Sequence, residues 1–90
     1  MNEVFLTNLE SKDEFENLAV KNEKCIGKEL KHKAFAHSRF DSCDFTKCNF
    51  TGSKFFECTW HGCNLSLAKI DGCRLQGIEF VDCKLDLLHN

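Results

Sequence analysis

Every fifth residue from position 30 is apolar: Leu30, Phe35, Phe40, Phe45, Phe50, Phe55, Trp60, Leu65, Ile70, Leu75, Phe80 and Leu85. With 42% apolar residues overall, chance gives twelve in a row in roughly one sequence in 10⁴, even allowing five phases. Two positions earlier in each unit stand Ser38, Cys43, Cys48, Ser53, Cys58, Cys63, Ala68, Cys73, Ile78 and Cys83, all small except Ile78. The residue between is polar, from Arg39, Asp44 and Asn49 to Glu79 and Lys84. Five residues advance an α-helix by about 500°, which scatters apolar positions around its axis. On a flat strand an odd period sends successive apolar residues to opposite faces. The pattern therefore predicts a chain that turns a corner in every unit. One large and one small side chain point inward, and three face water.

Units such as Cys43-Asp44-Phe45-Thr46-Lys47, Cys48-Asn49-Phe50-Thr51-Gly52 and Cys63-Asn64-Leu65-Ser66-Leu67 resemble the pentapeptide repeat proteins. The resemblance runs through residues 30–85 in one phase. It implies an all-β fold, a right-handed quadrilateral β-helix of about three coils, with four units and twenty residues per coil. Ile78 in the small slot, and Lys or Arg where the family prefers Asp or Asn, depart from the family pattern.

A twenty-residue coil stacks residue i on i+20 at the ~4.8 Å strand spacing. The inward columns become Phe40/Trp60/Phe80, Phe45/Leu65/Leu85, Leu30/Phe50/Ile70 and Phe35/Phe55/Leu75. The interior is then a filled pillar with no ligand cavity. Gly52, Gly62, Gly72 and Gly77 fall at the last position of a unit, where a corner with positive φ suits glycine. Cys43, Cys63 and Cys83 share a column, but parallel Cβ vectors suit a disulfide badly. Their ladder spacing lacks any CxxC pair, so a structural role is favoured over zinc or redox chemistry. Free thiols and a cytoplasmic location are expected.

The ends are less regular. Residues 1–29 are expected to form an N-terminal cap and imperfect first coil, coil-like from about residue 18. Ser11-Lys12-Asp13-Glu14 matches a capping box, which allows a short helix to start there; the alternative is an extended cap. Residues 30–87 form the predicted β-helix and 88–90 a tail. Leu87 and Leu88 lie near a C-terminus without a polar cap, which solenoids need. Either the chain is a fragment of a longer solenoid, or its open end pairs with a second copy, or the last polar residues fray.

The chemistry left over is sparse. The formal net charge is −2, too balanced for a phosphate-driven nucleic-acid binder. No apolar run approaches the ~20 residues of a membrane span, and no secretory leader is visible. His61 follows Trp60 near Cys58 and Cys63, but outward His and inward Cys defeat ligand or catalytic geometry. No metal, cofactor or catalytic residue is expected. The outward residues Phe56, Leu67, Val81, Leu87 and Leu88 are the candidate interaction surface.

Together these features favour a non-enzymatic scaffold or protein-interaction module. Its partner is an unknown protein, or a second copy through the C-terminal end; neither nucleic acid nor membrane is expected. The family resemblance adds a DNA-mimic reading, in which an acidic β-helix binds DNA gyrase and protects it from quinolones. A metal- or redox-active Cys protein is the remaining alternative.

Overall fold

A computed structural model describes residues 2–3 and 6–86; of residues 2, 3 and 6–8 only the backbone is considered. Ten elements follow in order: β1 (Asn2–Glu3), α1 (Leu6–Ser11), β2 (Glu14–Glu16), β3 (Leu18–Lys21), β4 (Ala34–Ala36), β5 (Arg39–Asp41), β6 (Lys54–Phe56), β7 (Thr59–His61), β8 (Arg74–Gln76) and β9 (Glu79–Val81). They form two all-parallel sheets, β1-β3-β5-β7-β9 and β2-β4-β6-β8. Phe15 pairs with Phe35, Phe35 with Phe55 and Phe55 with Leu75; Val20, Phe40, Trp60 and Phe80 stack likewise. Single bridges at Lys24, Asp44, Asn64 and Lys84, and at Glu29, Asn49 and Lys69, complete the other two faces. The molecule is a four-sided β-helix with twenty residues per turn, the coil that the family resemblance implies.

Each corner arises from the residue two places after the inward large side chain. From Asn17 to Asp82 every such position has positive φ, whether glycine or not. On the two bridged faces the following amide closes a turn, as in Cys48 N to Phe45 O at 3.0 Å and Ser53 N to Phe50 O at 2.9 Å. A four-residue turn with positive φ at its third residue is of type II. The residue before the inward side chain braces these corners. Asn49 Oδ1 accepts from Thr51 N at 3.0 Å, and Asn64 Oδ1 accepts from Ser66 N at 3.0 Å, the local bonding at which Asp and Asn excel.

The core is a continuous aromatic stack. Phe15, Phe35 and Phe55 lie nearly parallel at 4.8 and 5.1 Å. Phe40 stacks on Trp60 at 4.2 Å, and Phe45, Phe50 and Phe55 meet Trp60 edge-on, the arrangements aromatic quadrupoles favour. Trp60 Nε1 is buried without a hydrogen-bond partner in this ring. The small slot carries polar work as well as volume. Ser53 Oγ donates to Leu30 O at 2.8 Å, Cys63 Sγ to Phe40 O at 3.3 Å, and Cys73 Sγ to Phe50 O at 3.0 Å. Cys and Ser recur there because each can reach a carbonyl of the coil below.

The N-terminal end differs from the expectation. The twenty-residue register reaches back to Glu14, paired with Ala34, rather than beginning near residue 18. The helix ends at Ser11, so the capping-box motif stands at the close of a short helix and not at its start. The cause lies elsewhere in the chain. Leu9 is completely buried, so α1 lies across the end of the pillar. Lys33 Nζ donates to Lys12 O and to Glu10 O, with Asp13 Oδ1 at 3.6 Å. Free carbonyls at a helix C-terminus take up such a cation. β1 covers the outer edge of β3, Asn2 against Leu18.

Candidate interaction surfaces

The four faces present columns of outward side chains. Beside β2, β4, β6 and β8 run Glu14–Ala34–Lys54–Arg74 and Glu16–Ala36–Phe56–Gln76. On the opposite sheet run Ala19–Arg39–Thr59–Glu79 and Lys21–Asp41–His61–Val81. Lys24–Asp44–Asn64–Lys84 marks a third face and Glu29–Asn49–Lys69 the fourth. Each of these columns mixes signs or neutral groups, so among the described residues none of them forms an acidic stripe. Arg39 Nε donates to both oxygens of Asp41 at 2.8–2.9 Å, and this pairing raises the guanidinium pKa. His61 Nδ1 stands 3.8 Å from Asp41, and His37 Nδ1 3.2 Å from Glu57.

The structure disperses the outward apolar residues singled out in the sequence. Phe56 is 39% exposed on β6, its ring edge-on to His37 at 5.4 Å. Val81 is half-buried on the β9 face, and Leu67 is half-buried at a corner with φ 61°. Leu87 and Leu88 lie outside the described residues.

Two other surfaces stand out. The first is an open groove of about 530 Å³, floored by Ala34 and Ala36 between Glu14 and Glu16 on one side and Lys54 and Phe56 on the other. The second is the C-terminal end of the pillar. Leu75 is 45% exposed, and Phe80 and Leu85 are each 38% exposed. An open apolar pocket of about 50 Å³ lies at this end, lined by Phe50, Phe55, Trp60, Leu65, Ile70, Leu75 and Phe80, so the pillar expected to be filled is incompletely filled at its last described level. The five-residue period placed Leu75, Phe80 and Leu85 in the core. Their exposure is a finding of the structure, because the period states direction and not cover. The groove was readable from the paired alanines Ala34 and Ala36, two successive outward positions without bulk.

All seven cysteines are free. Burial raises the Cys25 thiol pKa to about 12. Burial likewise raises Cys48, Cys58, Cys73 and Cys83. Between stacked Cys43 and Cys63 a thiol–thiol hydrogen bond lowers the first and raises the second. Among the described residues no group of three His, Cys, Asp or Glu side chains is placed to hold a metal ion. Nor is any helix among them long and apolar enough to cross a membrane.

Pentapeptide repeats match this chain in eight copies, over residues 30–59 and 48–86. The chain belongs to the pentapeptide repeat family. Solved structures similar to this pentapeptide repeat protein include a trypsin-treated form of QnrB1, a plasmid-mediated fluoroquinolone resistance protein. It is 14% identical, with a TM-score of 0.44 over 80% of this chain and 50% of that one. A second trypsin-treated QnrB1 is 14% identical, with a TM-score of 0.37 over 78% and 61%. The pentapeptide repeat protein Rfr23 from the cyanobacterium Cyanothece 51142 is 12% identical, with a TM-score of 0.30 over 79% and 63%. This pentapeptide repeat protein thus spans between half and two thirds of the length of these chains. A search of curated proteins finds no match.

Proposed function

We propose that this pentapeptide repeat protein is a non-enzymatic scaffold that recognises a protein partner with the C-terminal end of its pillar. One contrast supports this reading. In the level below, Phe55, Trp60 and Leu65 are no more than 4% exposed, whereas Leu75, Phe80 and Leu85 in the same columns are 38–45% exposed. Burying each such side chain contributes ~1.5–3 kcal/mol. The outer edges of β8 and β9, terminal in their sheets, add unpaired backbone groups suited to strand addition. A second copy placed end to end meets both conditions, because it offers the same apolar ring. A gyrase-directed DNA mimic needs aligned carboxylates, and the mixed columns give that reading no support.

Leu85→Lys tests the proposal, since it places a charge in the exposed ring. Light scattering reads homotypic association, and affinity capture with both proteins reads a heterotypic partner. Binding that Leu85→Lys weakens at least about tenfold is expected. Equal binding by both proteins, or no binding in either format, overturns it.

A further inference from the structure

We propose that the face made by β2, β4, β6 and β8 pairs with the same face of a second copy. The two-fold axis would run along the strand direction and cross between the second and third levels. This surface is separate from the C-terminal end and rests on different observations.

The argument starts from the order of side chains along the solenoid. The first level carries Glu14 and Glu16, the second Ala34 and Ala36, the third Lys54 and Phe56, and the fourth Arg74 and Gln76. A two-fold along the strands reverses this order but keeps each column opposite itself. Glu14 then faces Arg74 of the other copy, and Glu16 faces Gln76. Phe56, standing 39% exposed with His37 against its edge, faces the depression over Ala36. The face thus carries both the knob and the notch it fits, as an isologous contact demands. A two-fold along the solenoid axis would instead set Glu14 against Glu16 and Lys54 against Phe56, and like charges disfavour it.

Electrostatics within one copy point the same way. Lys54 and Arg74 are neighbours in register, a repulsive arrangement. Among the described residues no ion pair within 4.0 Å engages Lys54, Arg74, Glu14 or Glu16. Those charges are therefore available to an opposing surface. The patch is small: about 10 Å along the strands and about 14 Å across three coil spacings. That is well below the ~800 Å² per partner of a stable complex. The dimer is accordingly weak, with a dissociation constant on the order of 10⁻⁴–10⁻³ M.

Sedimentation equilibrium of the full chain up to ~1 mM reads the association. Glu14→Arg and Arg74→Glu alone should each weaken it at least about tenfold, and the double reversal should restore it. Ala36→Phe, which fills the notch, should abolish it, and the association through this face should persist in a Leu85→Lys background, where the C-terminal end is blocked. These sites are at the surface, so unchanged urea midpoints confirm that the variants fold. A wild-type chain monomeric at ~1 mM overturns the proposal, as do single reversals without effect, a double reversal without rescue, or an indifferent Ala36→Phe. Loss with Leu85→Lys but not with the reversals would assign the association to the C-terminal end and also overturn it.

Discussion

At the residue scale the small inward slot is the most demanding position of the repeat. It must fit beside a Phe or Leu and still satisfy a carbonyl of the coil below. Cys63 does so at 3.3 Å from Phe40 O, and Ser53 at 2.8 Å from Leu30 O. The cost of burying thiols appears only in alkali. Cys25 sits in the large slot, fully buried, and its pKa rises from 9.0 to about 12 because burial disfavours the thiolate. The unfolded chain loses this proton first, so between pH 9 and 12 the native state binds more protons. Stability is fully present below pH 9 and falls by about 1.4 kcal/mol per pH unit for such a thiol. Urea titrations across this window should show the decline, and a shallower one in Cys25→Val. A flat profile, or no difference between the two, contradicts the assignment.

At the element scale the N-terminal helix depends on a residue far along the chain. Six residues do not hold a helix in water unaided. Lys33 occupies the inward slot below Ser53, whose Oγ accepts from Lys33 N at 3.0 Å. Its side chain, only 6% exposed, turns toward α1 and binds the carbonyls beyond it. Lys33→Met keeps the stem but leaves those carbonyls unmet, and should cost about 1–3 kcal/mol in urea unfolding. Hydrogen exchange of the α1 amides should accelerate with it. A variant as stable as wild type would show that Leu9 alone seats the helix. The cap was the part hardest to see in the sequence. A five-residue period reports itself wherever it holds, so residues 30–85 were legible as coils from side-chain size alone. Lys33 breaks the small-slot rule, and its meaning comes from carbonyls 21 and 23 positions away that no local pattern encodes. Ser11-Lys12-Asp13-Glu14 has the composition of a helix start, yet Ala34 N bonds Asp13 O at 2.7 Å and draws that segment into the first coil.

At the scale of the whole molecule, each level touches only the levels above and below it, so stability is a sum over neighbours. The middle levels have two neighbours and a sealed aromatic interior. The last described level shares an open apolar pocket with the one below and carries a ring of side chains 38–45% exposed. Amides of residues 74–86 should therefore exchange at least about a hundredfold faster than those of 54–65, through opening of the terminal level alone. Uniform protection would show instead that the solenoid opens as one unit. The same columns that made the pillar readable hid its exposed end, because a period states which way a side chain points and not whether anything covers it. The fixed bend at every fifth residue also governs how such a chain can lengthen or shorten. Excising one complete turn would rejoin the backbone with each remaining ring still above its counterpart. Losing a single amino acid would rotate everything downstream out of phase, sending lysines inside and phenylalanines to the solvent. A change in length that keeps every ring on its counterpart therefore comes in steps of twenty residues, which is about sixty nucleotides of coding sequence.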